Sequence, residues 1–141
     1  MADISDILSA GLSAMRLRVN TIASNIANAQ TTRTPEGGPY KRRDVVIVAK
    51  PEKSFQDALD NMTMIKPVVK AVVEDNSPPK MVYQPGHPDA DENGYVAYPN
   101  INVVQSMTDL MTASRLYQAN IAAMRTTSDM TRRARRIATV Y

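Results

Sequence analysis

From Ile4 the apolar residues fall at Leu8, Leu12, Met15, Val19, Ile22 and Ile26, separated by three or four positions. That is the spacing of a helix whose seam meets another helix along its length. It predicts a helix over about 5–29, with Ser5 or Asp3 placed to cap its start. Gly11 interrupts it at about 1 kcal/mol relative to Ala, and reads either as a point of close packing or as a tolerated flaw. Odder is the stretch "NTIASNIANAQTTRT", where Asn25 and Asn28 sit among the seam residues. Asn is a poor helix former, so those amides need a reason.

Helical spacing stops at "TTRTPEGGPYKRRD", because Pro35, Gly37, Gly38 and Pro39 cannot continue a helix. Between Arg43 and Asn100 the pattern turns to short β-branched runs, "DVVIVAK", "PVVKAVVED", "KMVY" and "YVAY", parted by Pro-rich and acidic turns. "EKSFQDALDNM" is a candidate short helix among them. After Pro99 the three-and-four spacing returns at Val103, Met107, Leu110, Ser114, Tyr117, Ile121, Met124, Ser128 and Thr131. The fold class expected is α+β: an N-terminal helical arm over 1–34, a connector and β-rich insert over 35–101, and a C-terminal helix over 102–141.

The last helix carries a second, weaker stripe at seven-residue spacing: Leu116, Ala123, Met130 and Ile137. One arrangement is a monomeric hairpin, with that stripe as ordinary apolar surface. The other pairs the terminal helices and leaves the second stripe for neighbouring subunits. A two-helix hairpin about 40 Å long cannot cover both stripes, which favours assembly.

Composition sharpens this picture. The chain has 141 residues and 43% are hydrophobic, but it holds only six Tyr, one Phe and no Trp, so its core is thin and its stability alone is weak. A net charge of +3 permits an acidic partner without naming one. With no cysteine there is no disulfide and no thiolate metal site. The N-terminal segment carries Asp3 and Asp6 where a secretory signal is basic, and no run approaches the roughly 20 apolar residues of a membrane-spanning helix. The expectation is an uncleaved N-terminus and no direct membrane insertion.

Candidate chemistry is sparse. Asp89, Asp91, Asn93 and Gly94 in "HPDADENGYV" match the opening of a calcium loop, but the twelfth position is Asn100 where a bidentate Glu is needed. A plain acidic turn held by Asp and Asn side chains is the favoured reading. His87 is the sole histidine, between Gly86 and Pro88, which leaves no choice of base for a relay and no His cluster for zinc. "TPEGGPY" lacks the Lys-Ser/Thr ending of a phosphate loop. No enzyme, cofactor or metal is expected. The Arg132–Arg136 run suits a helix C-terminus, where cations meet the negative end of the macrodipole. It also raises the alternative of a basic helical nucleic-acid-binding module. Missing interleaved aromatics and the modest net charge weigh against it, and no nucleic acid is expected.

At "IASNIANAQTTRTPEGGPYKRRDVV" the chain resembles the axial proteins of the bacterial flagellum, whose first helix ends in a pattern close to Ala-Asn-Asn-Ile-Ala-Asn-x-Asn-Thr. Ala23, Asn25, Ile26, Ala27, Asn28 and Thr31 match, while Ser24 and Gln30 stand where Asn is frequent. Among those proteins, the later "VYQPGHPDADENGYVAYPNINVVQSMTDLMTASRLYQAN" resembles the proximal-rod members.

The resemblance implies a non-enzymatic subunit of the rod, the torque-transmitting shaft that passes from the inner-membrane ring through the periplasm. It implies export through the flagellum's type III channel without a cleaved signal peptide, and terminal helices packed as a coiled-coil domain lining that channel. It also implies contact with other proximal-rod proteins, the distal rod, the basal-body ring and the export apparatus, and self-association. On this reading Leu8 to Ile26 pack on Val103 to Met124, and Leu116, Met130 and Ile137 touch adjacent subunits. Asn25 flanks the seam, where an amide bonded to a partner helix fixes register, and Asn28 suits the turn that ends the helix. Solvated surface amides are the alternative.

Overall fold

The computed structural model describes residues 4–52 and 64–138. Two long helices, α1 (Ile4–Ala27) and α2 (Val103–Ala138), bracket four strands: β1 (Arg43–Glu52), β2 (Met64–Glu74), β3 (Lys80–Tyr83) and β4 (Tyr95–Tyr98). The fold is α+β, with two separate two-stranded antiparallel sheets, β1–β2 and β3–β4. The candidate helix in "EKSFQDALDNM" lies, apart from Glu52 in β1, outside the described residues.

Local chemistry sets the helix ends. α1 stops at Ala27, and the Asn28 carboxamide donates back to the Ser24 carbonyl at 2.9 Å while its own oxygen accepts from the Thr31 hydroxyl at 3.1 Å. One amide thus adds a second donor to the Ser24 carbonyl, which also accepts the Asn28 backbone N–H at 3.0 Å, and braces the turn that follows. α2 begins with Asn102 as its cap, the side-chain oxygen accepting from the Gln105 backbone N–H at 3.2 Å. Its many threonines do not break it, because Thr108, Thr112, Thr126, Thr127 and Thr131 each donate to the carbonyl four residues earlier.

α1 is the central element. It packs on α2 along one side and on β2 and β1 along another. The helices run antiparallel: a Cβ at Gly11 would lie 3.5 Å from the Asn120 amide nitrogen of α2 and 3.9 Å from Pro67 of β2, so three elements meet there. The β1–β2 hairpin pairs Val45 with Val72 and Val46 with Ala71, then skips Lys70 to pair Ile47 with Val69. That bulge turns the strand where the hairpin lies along the helix. A lone hairpin is marginal in water, and burial of Val45 where β1 meets α1 supplies what the strands lack.

The core is thin, as the composition predicts. Among the described residues its buried apolar members are Ala14, Val45, Val96, Pro99 and Ala113, all of them small or medium in size.

Candidate assembly interface

The densest chemistry lies at the joint between α1 and the β1–β2 hairpin. The Asn25 carboxamide nitrogen donates to the Arg43 carbonyl at 2.7 Å, and its oxygen accepts from the Arg43 backbone N–H at 2.9 Å and the Tyr40 hydroxyl at 3.2 Å. The side chain imitates a neighbouring strand, offering one donor and one acceptor to a single residue's peptide groups. It is 3% exposed. The spacing argument gave Asn25 a partner on another helix, but its partner is a strand of its own chain. Asn25 lies where α1 meets β1, in a cleft that Ser106, Asp109 and Ala113 of α2 also line, and its amide bonds to the strand backbone.

From there the chain loops through "TTRTPEGGPY", closed by the Tyr40 N–H on the Thr31 carbonyl at 3.0 Å and the Thr34 N–H on the Gly38 carbonyl at 2.9 Å. The acidic turn between β3 and β4 docks on this loop: the Thr32 hydroxyl donates to Asp89 at 2.8 Å, and Arg33 lies 3.8 Å from the same carboxylate. Asp91 accepts from the Asn93 and Tyr95 backbone N–H groups at 2.9 and 2.7 Å, so its oxygen serves the turn. His87 accepts at Nδ1 from the Asp89 N–H at 3.1 Å. Gly94 has φ +80°, and a Cβ there would lie 3.0 Å from the Tyr83 ring. Among the described residues no group of three or more His, Asp or Glu side chains could hold a metal ion.

The helix pair takes the remaining candidates. Leu8, Leu12, Met15, Val19, Ile22 and Ile26 on α1 are half-buried, as are Asn28 just after it and Leu110, Tyr117, Ile121 and Met124 on α2. Val19 and Tyr117 line one groove of about 270 Å³ with Arg16, Ser114 and Gln118. Val103 and Met107 stay exposed, Met107 at 54%. The best-covered residue of α2 is Ala113, and at about 100° per residue Met107 stands some 120° around the helix from it. Leu116, Met130 and Ile137 are exposed too, on the opposite flank.

Spacing alone missed a third set, Val104, Met107 and Met111, exposed on α2 at steps of three and four. Its signal was present but was divided between the seam and unassigned residues. α2 therefore has one flank on α1 and two apolar flanks that α1 leaves uncovered. No described helix is long and apolar enough to cross a membrane.

Residues 6–33 match the family described as "Flagella basal body rod protein", and residues 92–137 match "Flagellar basal body rod FlgEFG protein C-terminal". The two matches fall on α1 with its Asn-bearing end, and on the last residues of the acidic turn with β4 and α2. Similar proteins include the flagellar basal-body rod protein FlgC of Borreliella burgdorferi, 39% identical over 139 residues covering 92% of this chain and 91% of that one. The FlgC of Salmonella typhimurium is 41% identical over 130 residues, with 92% of each chain covered. That of Bacillus subtilis is 35% identical over 141 residues, again with 92% of each covered. These likenesses lend no support to a nucleic-acid role for the Arg132–Arg136 run. By identity and by coverage, the chain belongs to the FlgC family of flagellar basal-body rod proteins.

Proposed function

We propose that this chain is a structural, non-catalytic subunit of the flagellar rod. The observation that carries the reading is the apolar surface of α2: Leu116, Met130 and Ile137 on one flank, and Val104, Met107 and Met111 on the other, are exposed in a chain whose relatives are rod proteins. Exposed apolar stripes on a helix find their free energy in contact with neighbours.

In the assembly, segments 1–34 and 102–141 form a helical core domain in which α1 and α2 pair as a coiled coil and neighbouring copies cover the outer stripes. Segment 35–101 forms an outer layer braced to the core through Asn25 and Arg43. Torque then passes through many modest contacts, and the packed helices enclose the path along which axial subunits are exported. The neighbours are other rod proteins, proximal and distal, with the basal-body ring and the export apparatus at the base. The subunit reaches its place in the periplasm through the flagellar type III system without a cleaved signal peptide.

Gene deletion with electron microscopy of isolated basal bodies tests this reading. Deletion should leave cells without a complete rod and unable to swim, with rescue by the wild-type gene. Intact flagella in the deletion strain would refute it.

A further inference from the structure

The two ends of the molecule differ in chemistry. Gly11 is level with Asn120; beyond that level α2 continues 18 residues to Ala138, whereas α1 has only seven more to Ile4. α2 thus overhangs by 11 residues, about three turns and 16 Å, and residues 128–138 are all exposed. The overhang is amphipathic: Met130, Ala134 and Ile137 share one flank, Arg133 borders that flank about 40° around the axis from Ile137, and Arg132 lies on the far side.

At the far end, beside the C-terminus of α1, the β3–β4 hairpin hides Val96 on one face and exposes Met81, Tyr83 and Tyr95 on the other. Tyr83 and Tyr95 are directly paired across the strands, and their rings meet edge to face at 5.4 Å. Asp91 and Glu92 stand exposed in the turn of that hairpin. One end is an apolar helix flank bordered by Arg133, and the other is an apolar sheet face with the exposed carboxylates of Asp91 and Glu92 in its turn.

We propose that the overhanging end of α2 packs on the Met81–Tyr83–Tyr95 face of a second copy of this chain, with Arg133 against its Asp91 and Glu92. This rests on the rod-subunit reading and names one of its contacts. A sheet with one bare apolar face is completed by a helix laid across it, and the charges fix which way the helix lies. The contact joins different surfaces of the two copies, so it does not exhaust itself in a dimer; each copy keeps a free end for the next, as a ring or open helical array requires. Three turns of helix bury less than the roughly 1,200 Å² of a stable pairwise interface, so the contact is weak in solution and adds up only along an array.

Sedimentation velocity on the full chain tests it, with circular dichroism to verify that each variant is folded. The wild type should associate with rising concentration without stopping at the dimer. Arg133→Glu, and separately Glu92→Arg, should each weaken association about tenfold. Mixing the two reversed chains should restore it, because each then offers the charge that the other needs. The sequence has no cysteine, so Ile137→Cys and Tyr83→Cys chains give a second measurement: together they should form disulfide-linked heterodimers, and separately far fewer.

A chain that stays monomeric at about 1 mM, a dimer that stops growing, or association indifferent to both reversals would overturn the proposal. So would association that appears only with a different rod protein. In each of those cases the deletion phenotype stands, so failure of this contact is distinct from failure of the rod assignment.

Discussion

Replacing Asn25 by Leu keeps the branched outline of the side chain and removes its amide. Three hydrogen bonds go, at 2.7, 2.9 and 3.2 Å. The Tyr40 hydroxyl also lies 3.4 Å from the Ser24 hydroxyl, so its loss is softened. The Arg43 N–H and carbonyl lose the partner they have here, against a side chain that is 3% exposed. An unmade buried hydrogen bond costs about 1–3 kcal/mol per group, so the two Arg43 groups place the loss near 3 kcal/mol. That is a large share of the 5–15 kcal/mol that holds an ordinary domain together, and this chain has a thin core. Asn25→Ala should cost somewhat less, because a shortened side chain lets water reach the freed groups. Asn25→Asp keeps the acceptor but turns an oxygen toward the Arg43 carbonyl, and should cost at least as much as Leu. Urea unfolding followed by circular dichroism gives the free energy, and hydrogen exchange at the Arg43 amide reports the joint itself. The amide should lose protection before those in the middle of β1. An Asn25→Leu chain within about 0.5 kcal/mol of wild type, or one whose Arg43 amide exchanges as slowly as before, would refute the strand-mimic account.

Gly11→Ala should stabilise the chain by about 0.5–1 kcal/mol in the same assay, since the new methyl meets Asn120 and Pro67 at ordinary contact distances and the helix loses a flexible residue. A loss would mean that the helices cannot give the methyl room. Gly94→Ala should cost about 1–3 kcal/mol, because φ is +80° and the added carbon falls 3.0 Å from Tyr83; neutral thermal denaturation would contradict this. Hydrogen bonds from Ser77, side chain then backbone, lower the Asp75 pKa below 3.8. The stabilisation linked to it is present above the ordinary value and fades as pH falls through the lower folded one. Ser77→Ala should move the Asp75 midpoint upward in an NMR titration, and an unmoved midpoint would reject the hydroxyl as the chief cause.

Much of this architecture was legible in the chain. Three-and-four spacing marked both helices, Pro35 to Pro39 marked the end of the first arm, and the β-branched runs marked all four strands, because each of these signals belongs to a single element. Asn28 stands at the end of that helix, and its hydrogen-bond partners, Ser24 and Thr31, lie within four residues. The role of Asn25 was not legible, since its partner Arg43 is 18 residues away and comes within reach only once the intervening loop closes. The apolar flanks of α2 divide in the same way. Periodicity establishes that the helix has more apolar surface than one neighbour can cover, but not which flank meets α1. Tertiary packing chose the flank through Ala113, leaving Met107 outside and Leu110 and Tyr117 within. A repeat along one helix constrains angles about that helix's own axis, whereas the choice of flank depends on how α2, β1 and β2 all fit around α1.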